Sequence, residues 1–104
     1  MADAIDDGWV DGRYKYQLTA PLDVMGEQIS VITLRAPVAG DMFAVGNPVE
    51  TYLASDHPTI RFDDKRMGDM IARLGGIPPA SLAKLSTKDA IGMGWILANF
   101  FTPI

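Results

Sequence analysis

The spacing of apolar residues changes along this chain, from every second residue near the N-terminus to every third or fourth residue later. Residues 14–22 alternate between apolar and polar side chains, which is typical of a half-buried strand. A second strand is predicted over 28–35, which is rich in β-branched residues, and residues 23–27 between them suit a hairpin loop. Because helical patterns follow, the sequence predicts an α+β fold: an N-terminal antiparallel β-hairpin followed by three to four short α-helices.

The second predicted strand has apolar residues on both faces. Ile29 and Val31 share one face, whereas Ile32 and Leu34 share the other. Either both faces are covered, or a bulge reverses the sidedness of the strand. The sequence leaves these alternatives open.

A short helix is predicted over 38–45, after Pro37 and before Gly46. Asp41 falls in its first turns, where the helix dipole favours a negative charge. Residues 49–54 fit either more helix or a short strand, and a turn is predicted at 56–58.

The clearest helix is predicted over 65–74, with Asp63 or Asp64 as its N-cap and Gly75-Gly76 as its stop. Its apolar residues form one stripe at helical spacing: Met67, Met70, Ile71 and Leu74. A turn of helix follows through residue 85.

The last helix is predicted over 87–101, with Ser86 as its cap. Gly92 and Gly94 each cost such a helix about 1 kcal/mol relative to Ala. We therefore expect a neighbouring element to pack closely against that face.

Charge is distributed unevenly along the 104 residues. Four of the thirteen acids, and none of the nine bases, fall in residues 1–12, so we predict a flexible acidic tail there. Residues 13–104, the predicted single domain, then hold nine acids and nine bases. This neutral body lacks the Lys/Arg cluster of a nucleic-acid binder, so no nucleic acid is expected as a partner. Trp9, in the tail, either folds back onto apolar surface or anchors a partner.

The chain has no cysteine, which excludes disulfides and thiolate metal sites. Its N-terminus lacks the basic and apolar segments of a signal peptide. No apolar stretch approaches the ~20 residues that cross a bilayer. We therefore expect a cytoplasmic protein that does not bind membranes.

Catalytic motifs are absent from the sequence. The only histidine, His57, adjoins Ser55 and Asp56, but neighbours in a turn are poorly placed to form a triad, and a surface turn residue is the better interpretation. Asp63-Asp64 with Asp69 does not match a calcium loop, and no glycine pattern matches a nucleotide-binding loop. We predict no enzyme activity, no cofactor and no metal.

Two segments resemble the short tail assembly chaperones of contractile-tailed bacteriophages. Residues 33–42 read T-L-R-A-P-V-A-G-D-M, against roughly T-L-R-E-P-T-A-G-D-L in that family. The matching positions taken as the family motif are Leu34, Arg35, Pro37, Gly40 and Asp41. The second segment is I-A-R-L-G-G-I-P-P at 71–79, with Leu82, Leu85, Asp89 and Phe100-Phe101 after it. Ala36 replaces the usual acid and Val38 the usual Thr, which removes a natural N-cap.

The resemblance implies a protein that acts during tail morphogenesis in the bacterial cytoplasm and is absent from the mature virion. Its implied partners are the tape measure protein, which it keeps soluble, and the tail tube protein, which it recruits. The resemblance is also compatible with association of the chain with further copies of the same chain. A longer frameshifted form often accompanies such proteins.

An apolar groove between the 65–74 and 87–101 helices is the expected binding site, because a tape measure helix offers an apolar face. The candidate contacts are Met70, Leu74, Trp95 and Phe101. The core is the favoured place for Met67, Met70 and Met93, although flexible methionine side chains also suit an adaptable binding surface.

Two other functions stay open at this stage. One is a structural head–tail or tail-completion protein of the virion. The other is a small regulatory or antitoxin-like module, which the neutral body and apolar last helix oppose.

Overall fold

Two antiparallel sheets and four helices make up the part of the chain that the computed structural model describes, residues 8–52 and 59–102. This confirms the α+β fold and the N-terminal hairpin. The elements are β1 (Trp9–Val10), β2 (Arg13–Val24), β3 (Glu27–Arg35), α1 (Ala39–Val45), β4 (Val49–Tyr52), β5 (Thr59–Phe62), α2 (Asp64–Gly75), α3 (Pro79–Leu82) and α4 (Thr87–Ala98).

The first sheet has the order β1-β2-β3, with every pair antiparallel. Val24 pairs with Glu27, so the hairpin loop is a two-residue turn, shorter than predicted. Met25 and Gly26 have φ values of 53° and 88°. Positive φ at both central residues is what a tight turn of this kind needs to match the strand twist.

A bulge in β2 resolves the sidedness of the hairpin. Gln17 pairs with Val31 but Leu22 pairs with Ile29, so β2 carries extra residues between these pairs. The inward face of β3 changes across the bulge, because Ile32 and Leu34 are buried on one side of it and Ile29 packs against the core on the other, while Val31 is 39% exposed. The bulge alternative is therefore confirmed, although the extra residues belong to the first strand.

Within the acidic tail that we predicted over residues 1–12, the described residues begin at Gly8. Trp9–Val10 forms β1, which pairs with the start of β2. The Trp9 ring folds back in edge-to-face contacts, with its centroid 5.4 Å from that of Tyr14 and 5.1 Å from that of Phe100. Residues 1–7 lie outside the described part.

The second sheet is the pair β4–β5. β4 confirms the short-strand interpretation for residues 49–52, and residues 53–54 of that prediction lie outside the described residues. β5 was not predicted, because T-I-R-F is short and adjoins the helix that follows it. The turn predicted at 56–58, with His57, lies outside the described residues.

The helix caps follow the sequence closely. Asp63 Oδ1 accepts a hydrogen bond from the Arg66 N–H at 3.1 Å, and Gly76 ends α2 with φ 66°. Ser86 Oγ accepts the Asp89 N–H at 3.2 Å at the start of α4. α4 ends at Ala98, earlier than the predicted 101, and the chain then turns so that Phe101 is buried.

One hydrophobic cluster joins the hairpin, α2 and α4. The predicted stripe of α2 is buried in it, as Met67, Met70, Ile71 and Leu74. The close packing expected at the two glycines of α4 is also present. A Cβ on Gly94 would lie 3.0 Å from the Phe62 ring, and one on Gly92 would overlap the Tyr16 hydroxyl.

Candidate partner-binding groove

Asp41 connects the two segments that carry the family resemblance. Arg35 donates from both terminal nitrogens to its carboxylate, at 2.8 and 2.7 Å, and Arg73 Nε donates at 2.7 Å. The Val38 N–H adds a bond of 2.9 Å at the start of α1. The carboxylate is buried, and the bonds from Arg35 and then Arg73 hold the pKa of Asp41 well below its usual range. This junction fixes the end of β3 to α1 and α2.

The other motif residues lie in different environments. Leu34 is fully buried in the core, while Pro37 is half-buried and Gly40 is exposed. The ionic part of the motif, Arg35 with Asp41, is therefore structural.

A second buried carboxylate, Asp89, connects α4 to the bulge of β2. Its oxygens accept the Thr19 N–H at 3.1 and 3.0 Å and the Thr19 hydroxyl at 3.0 Å. The Ser86 hydroxyl donates at 3.0 Å and the Tyr16 hydroxyl at 3.3 Å. Burial opposes ionisation of Asp89, but these bonds outweigh it and keep its pKa lowered. In the sequence, Asp89 was named only as part of the second segment that resembles the family, and no pattern revealed its partners in β2.

An open groove of about 570 Å³ lies between α2, α3 and the first half of α4. Met67, Ile71 and Leu82 are buried beneath it, and Leu85 and Ile91 extend its apolar surface. Its complete lining is Phe62, Asp64, Lys65, Met67, Gly68, Asp69, Ile71, Pro79, Leu82, Ala83, Leu85, Thr87, Ala90 and Ile91.

An exposed apolar ridge on α4 adjoins this groove. Ile91 and Trp95, four residues apart and hence on one helix face, are 56% and 57% exposed. The Trp95 ring contacts Phe62, which lines the groove, with ring centroids 5.1 Å apart. Large exposed apolar side chains beside a groove are a feature of protein-binding surfaces.

The four predicted contact residues occupy different environments. Met70, Leu74 and Phe101 belong to the buried core, and Trp95 alone among the four presents its side chain to solvent. Contact of any of them with a partner remains a prediction. Ile91 was not among the predicted contacts, although its spacing of four residues from Trp95 was a signal for it.

The described residues show simple structural roles for the other acids that we considered. Asp63 caps α2, and Asp69 pairs with Lys65 at 3.1 Å. No group of three potential metal ligands occurs within residues 8–52 and 59–102. Ser55, Asp56 and His57 lie outside those ranges. None of the described helices is long and apolar enough to cross a membrane.

The fold and the groove together define a small α+β protein with an open apolar groove. The sequence matches the family model described as "Phage tail assembly chaperone proteins, E, or 41 or 14" over residues 15–102. The chain therefore belongs to the phage tail assembly chaperone family, as the two sequence segments predicted. No curated protein and no solved structure matches it. Membership of this family indicates a role as a tail assembly chaperone.

Proposed function

We propose that this chain binds the tape measure protein during tail morphogenesis, keeps it soluble and recruits tail tube subunits to it. The observation that carries the proposal is the apolar groove between α2 and α4, with Ile91 and Trp95 exposed along its border. Family membership supports an assembly partner from the phage tail.

A helix is the occupant that fits the proposal best. An amphipathic helix in a groove is a recurring recognition mode, in which residues at i, i+3, i+4 and i+7 enter apolar pockets. A tape measure helix exposes apolar stripes before the tail tube encloses it, and such stripes aggregate in water. A groove that covers them transiently needs apolar surface and no reactive group.

Trp95 is the first of the four predicted contacts that an incoming helix would meet. Met70 and Leu74 lie beneath the surface and act by supporting α2, unless docking opens the core to them. The proposal therefore assigns direct contact to Trp95 and Ile91.

Co-expression of this chain with the tape measure protein tests the proposal. We expect the soluble fraction of the tape measure protein to rise with the wild-type chain and to fall back with Trp95→Asp or Ile91→Asp. Phe43→Asp is the matched control, because Phe43 is 78% exposed but lies on α1, outside the groove lining. Unchanged tape measure solubility with and without the wild-type chain contradicts the proposal.

The same proposal places the chain in the host cytoplasm and outside the finished particle. Mass spectrometry of purified virions distinguishes it from the head–tail or tail-completion alternative. A stoichiometric amount of this chain in purified particles would support that alternative instead.

A further inference from the structure

We propose that two copies of this chain associate through the free edge of β3, forming a continuous antiparallel sheet about a two-fold axis at Thr33. This surface is separate from the groove, because no residue of β3 lines the groove. The proposal goes beyond the binding of a tail protein.

Along one edge of β3, backbone N–H and C=O groups point away from its neighbour β2. β3 is the last strand in the order β1-β2-β3. The Ala36 N–H donates to the Gly12 carbonyl at 2.8 Å, and antiparallel pairs alternate between bonded and non-bonded. Counting back along β3, the N–H and C=O groups of Arg35, Thr33 and Val31 point away from β2.

This edge has little of the usual protection against pairing. Residues 28–34 contain no charged residue and no proline, which normally blunt an edge, and the one charged side chain of the paired stretch, Arg35, is bonded to Asp41 of its own chain. Within the described part of the chain, the outer edge of β2 is partly covered by β1 and is interrupted by its bulge and Pro21. β4 and β5 are four residues each, with Glu50 paired to Arg61.

The backbone groups of β3 that point away from β2 determine the register in which two copies can pair. A two-fold axis at Thr33 sets Thr33 opposite its own copy and Val31 opposite Arg35, so every outward group of these residues gains a partner. An axis at Val31 would instead set Thr33 opposite Ile29. Ile29 lies beyond the bulge and pairs with Leu22, so its backbone groups are already used within the sheet. The Thr33 register also creates a favourable Thr–Thr cross-strand pair.

A second copy of the chain is the occupant that the surface fits. The same strand supplies both sides of the pair, and it is uncharged over 28–34. Residues 13–104 hold nine acids and nine bases, so two bodies approach without net repulsion. The tape measure protein is proposed to bind as a helix, and a helix offers no strand edge.

Single-cysteine variants test this directly, because the natural chain has no cysteine. Directly opposed residues of a hydrogen-bonded antiparallel pair have Cα atoms about 5.5 Å apart, within the range of a disulfide. Under mild oxidation, we expect Thr33→Cys to form a disulfide-linked dimer in most of the sample. Thr59→Cys, exposed on β5, is the matched control and should stay largely monomeric. Equal cross-linking of the two variants overturns the proposal.

Sedimentation of the wild-type chain, which has no cysteine, and of two lysine variants provides the second measurement. We expect the wild-type chain to shift from monomer to dimer with rising concentration, and Thr33→Lys to remain monomeric, since the axis would place two ammonium groups together. Thr59→Lys should sediment as the wild type does. A wild-type chain that is monomeric throughout the accessible concentration range also overturns the proposal.

Discussion

At the scale of single residues, two buried carboxylates organise the protein. Asp41 joins β3 to α1 and α2 through Arg35 and Arg73, and Asp89 joins α4 to the bulge of β2. Each is buried, ionised and held by several donors, so removing its charge leaves those donors with fewer partners. Both residues belong to the segments that resemble the family, which explains the resemblance by folding rather than by chemistry.

Asp41→Asn tests the first of these junctions. We expect the free energy of unfolding at neutral pH to fall by about 2 kcal/mol, because a buried partner of two arginines loses its charge. The expected loss of unfolding free energy is smaller than for a fully buried pair, because the Arg35 and Arg73 side chains are 37% and 45% exposed. Urea denaturation measures it. Asp69→Asn, which breaks the exposed pair with Lys65, is the control and should cost less than about 0.5 kcal/mol.

The pH dependence of the same comparison has a defined sign. Since the folded-state pKa of Asp41 is lowered, its contribution is complete above the ordinary carboxyl pKa of about 4 and is lost as the pH falls toward the folded value. The gap in stability between wild type and Asp41→Asn should therefore narrow below about pH 4. A gap that is constant down to acid unfolding would show that the charge of Asp41 does not stabilise the fold.

At the scale of elements, the sequence predicted those features whose causes lie within a few residues along the chain. The caps at Asp63, Gly76 and Ser86 and the stripe of α2 depend on residues within a turn or two, and the sequence predicted them. β5 and the end of α4 depend on distant contacts. The bonds between Asp89 and Thr19 join residues 70 positions apart, and no local pattern encodes such a pair.

Local patterns indicated the two helices that border the groove, but not the side chains that are exposed along it. The choice of α2 and α4 as its walls followed from their apolar patterns. The periodicity of a helix does not say which of its apolar residues face the core, so Met70 and Leu74 were chosen as contacts although both are buried. Exposure of Ile91 and Trp95 results from the direction in which α4 packs on α2 and β2, and that direction is a property of the assembled fold.

The glycines of α4 provide a test at this scale. Gly92→Ala should destabilise the protein, because the new methyl group overlaps the Tyr16 hydroxyl that bonds to Asp89, and this outweighs the gain of about 1 kcal/mol in helix propensity. Gly68→Ala in α2 is the matched change, with no atom within 4 Å of the new Cβ, and should stabilise by up to about 1 kcal/mol. Thermal unfolding of both variants measures the contrast. Stabilisation by both would show that α4 does not pack closely on Tyr16.

At the scale of the whole molecule, the two proposed surfaces belong to different elements. The groove is lined by residues of β5, α2, α3 and α4 and the loops between them, whereas the proposed self-association uses β3. Neither surface contributes a residue to the other. This arrangement allows a dimer to present two grooves to a long partner, which raises the effective affinity without new contacts in either groove.

Paired variants separate the two roles. Thr33→Lys should abolish dimerisation and leave each groove intact, so the tape measure protein should still become soluble, but only at a higher concentration of the chain, since the gain from two linked grooves is lost. Trp95→Asp should dimerise normally and fail to keep the tape measure protein soluble at any concentration. The measurement is the soluble tape measure fraction against the amount of each variant, with sedimentation run in parallel. If Thr33→Lys matches the wild-type curve while remaining monomeric, the dimer plays no part in binding the tape measure protein. If Trp95→Asp also matches that curve, the groove is not the site.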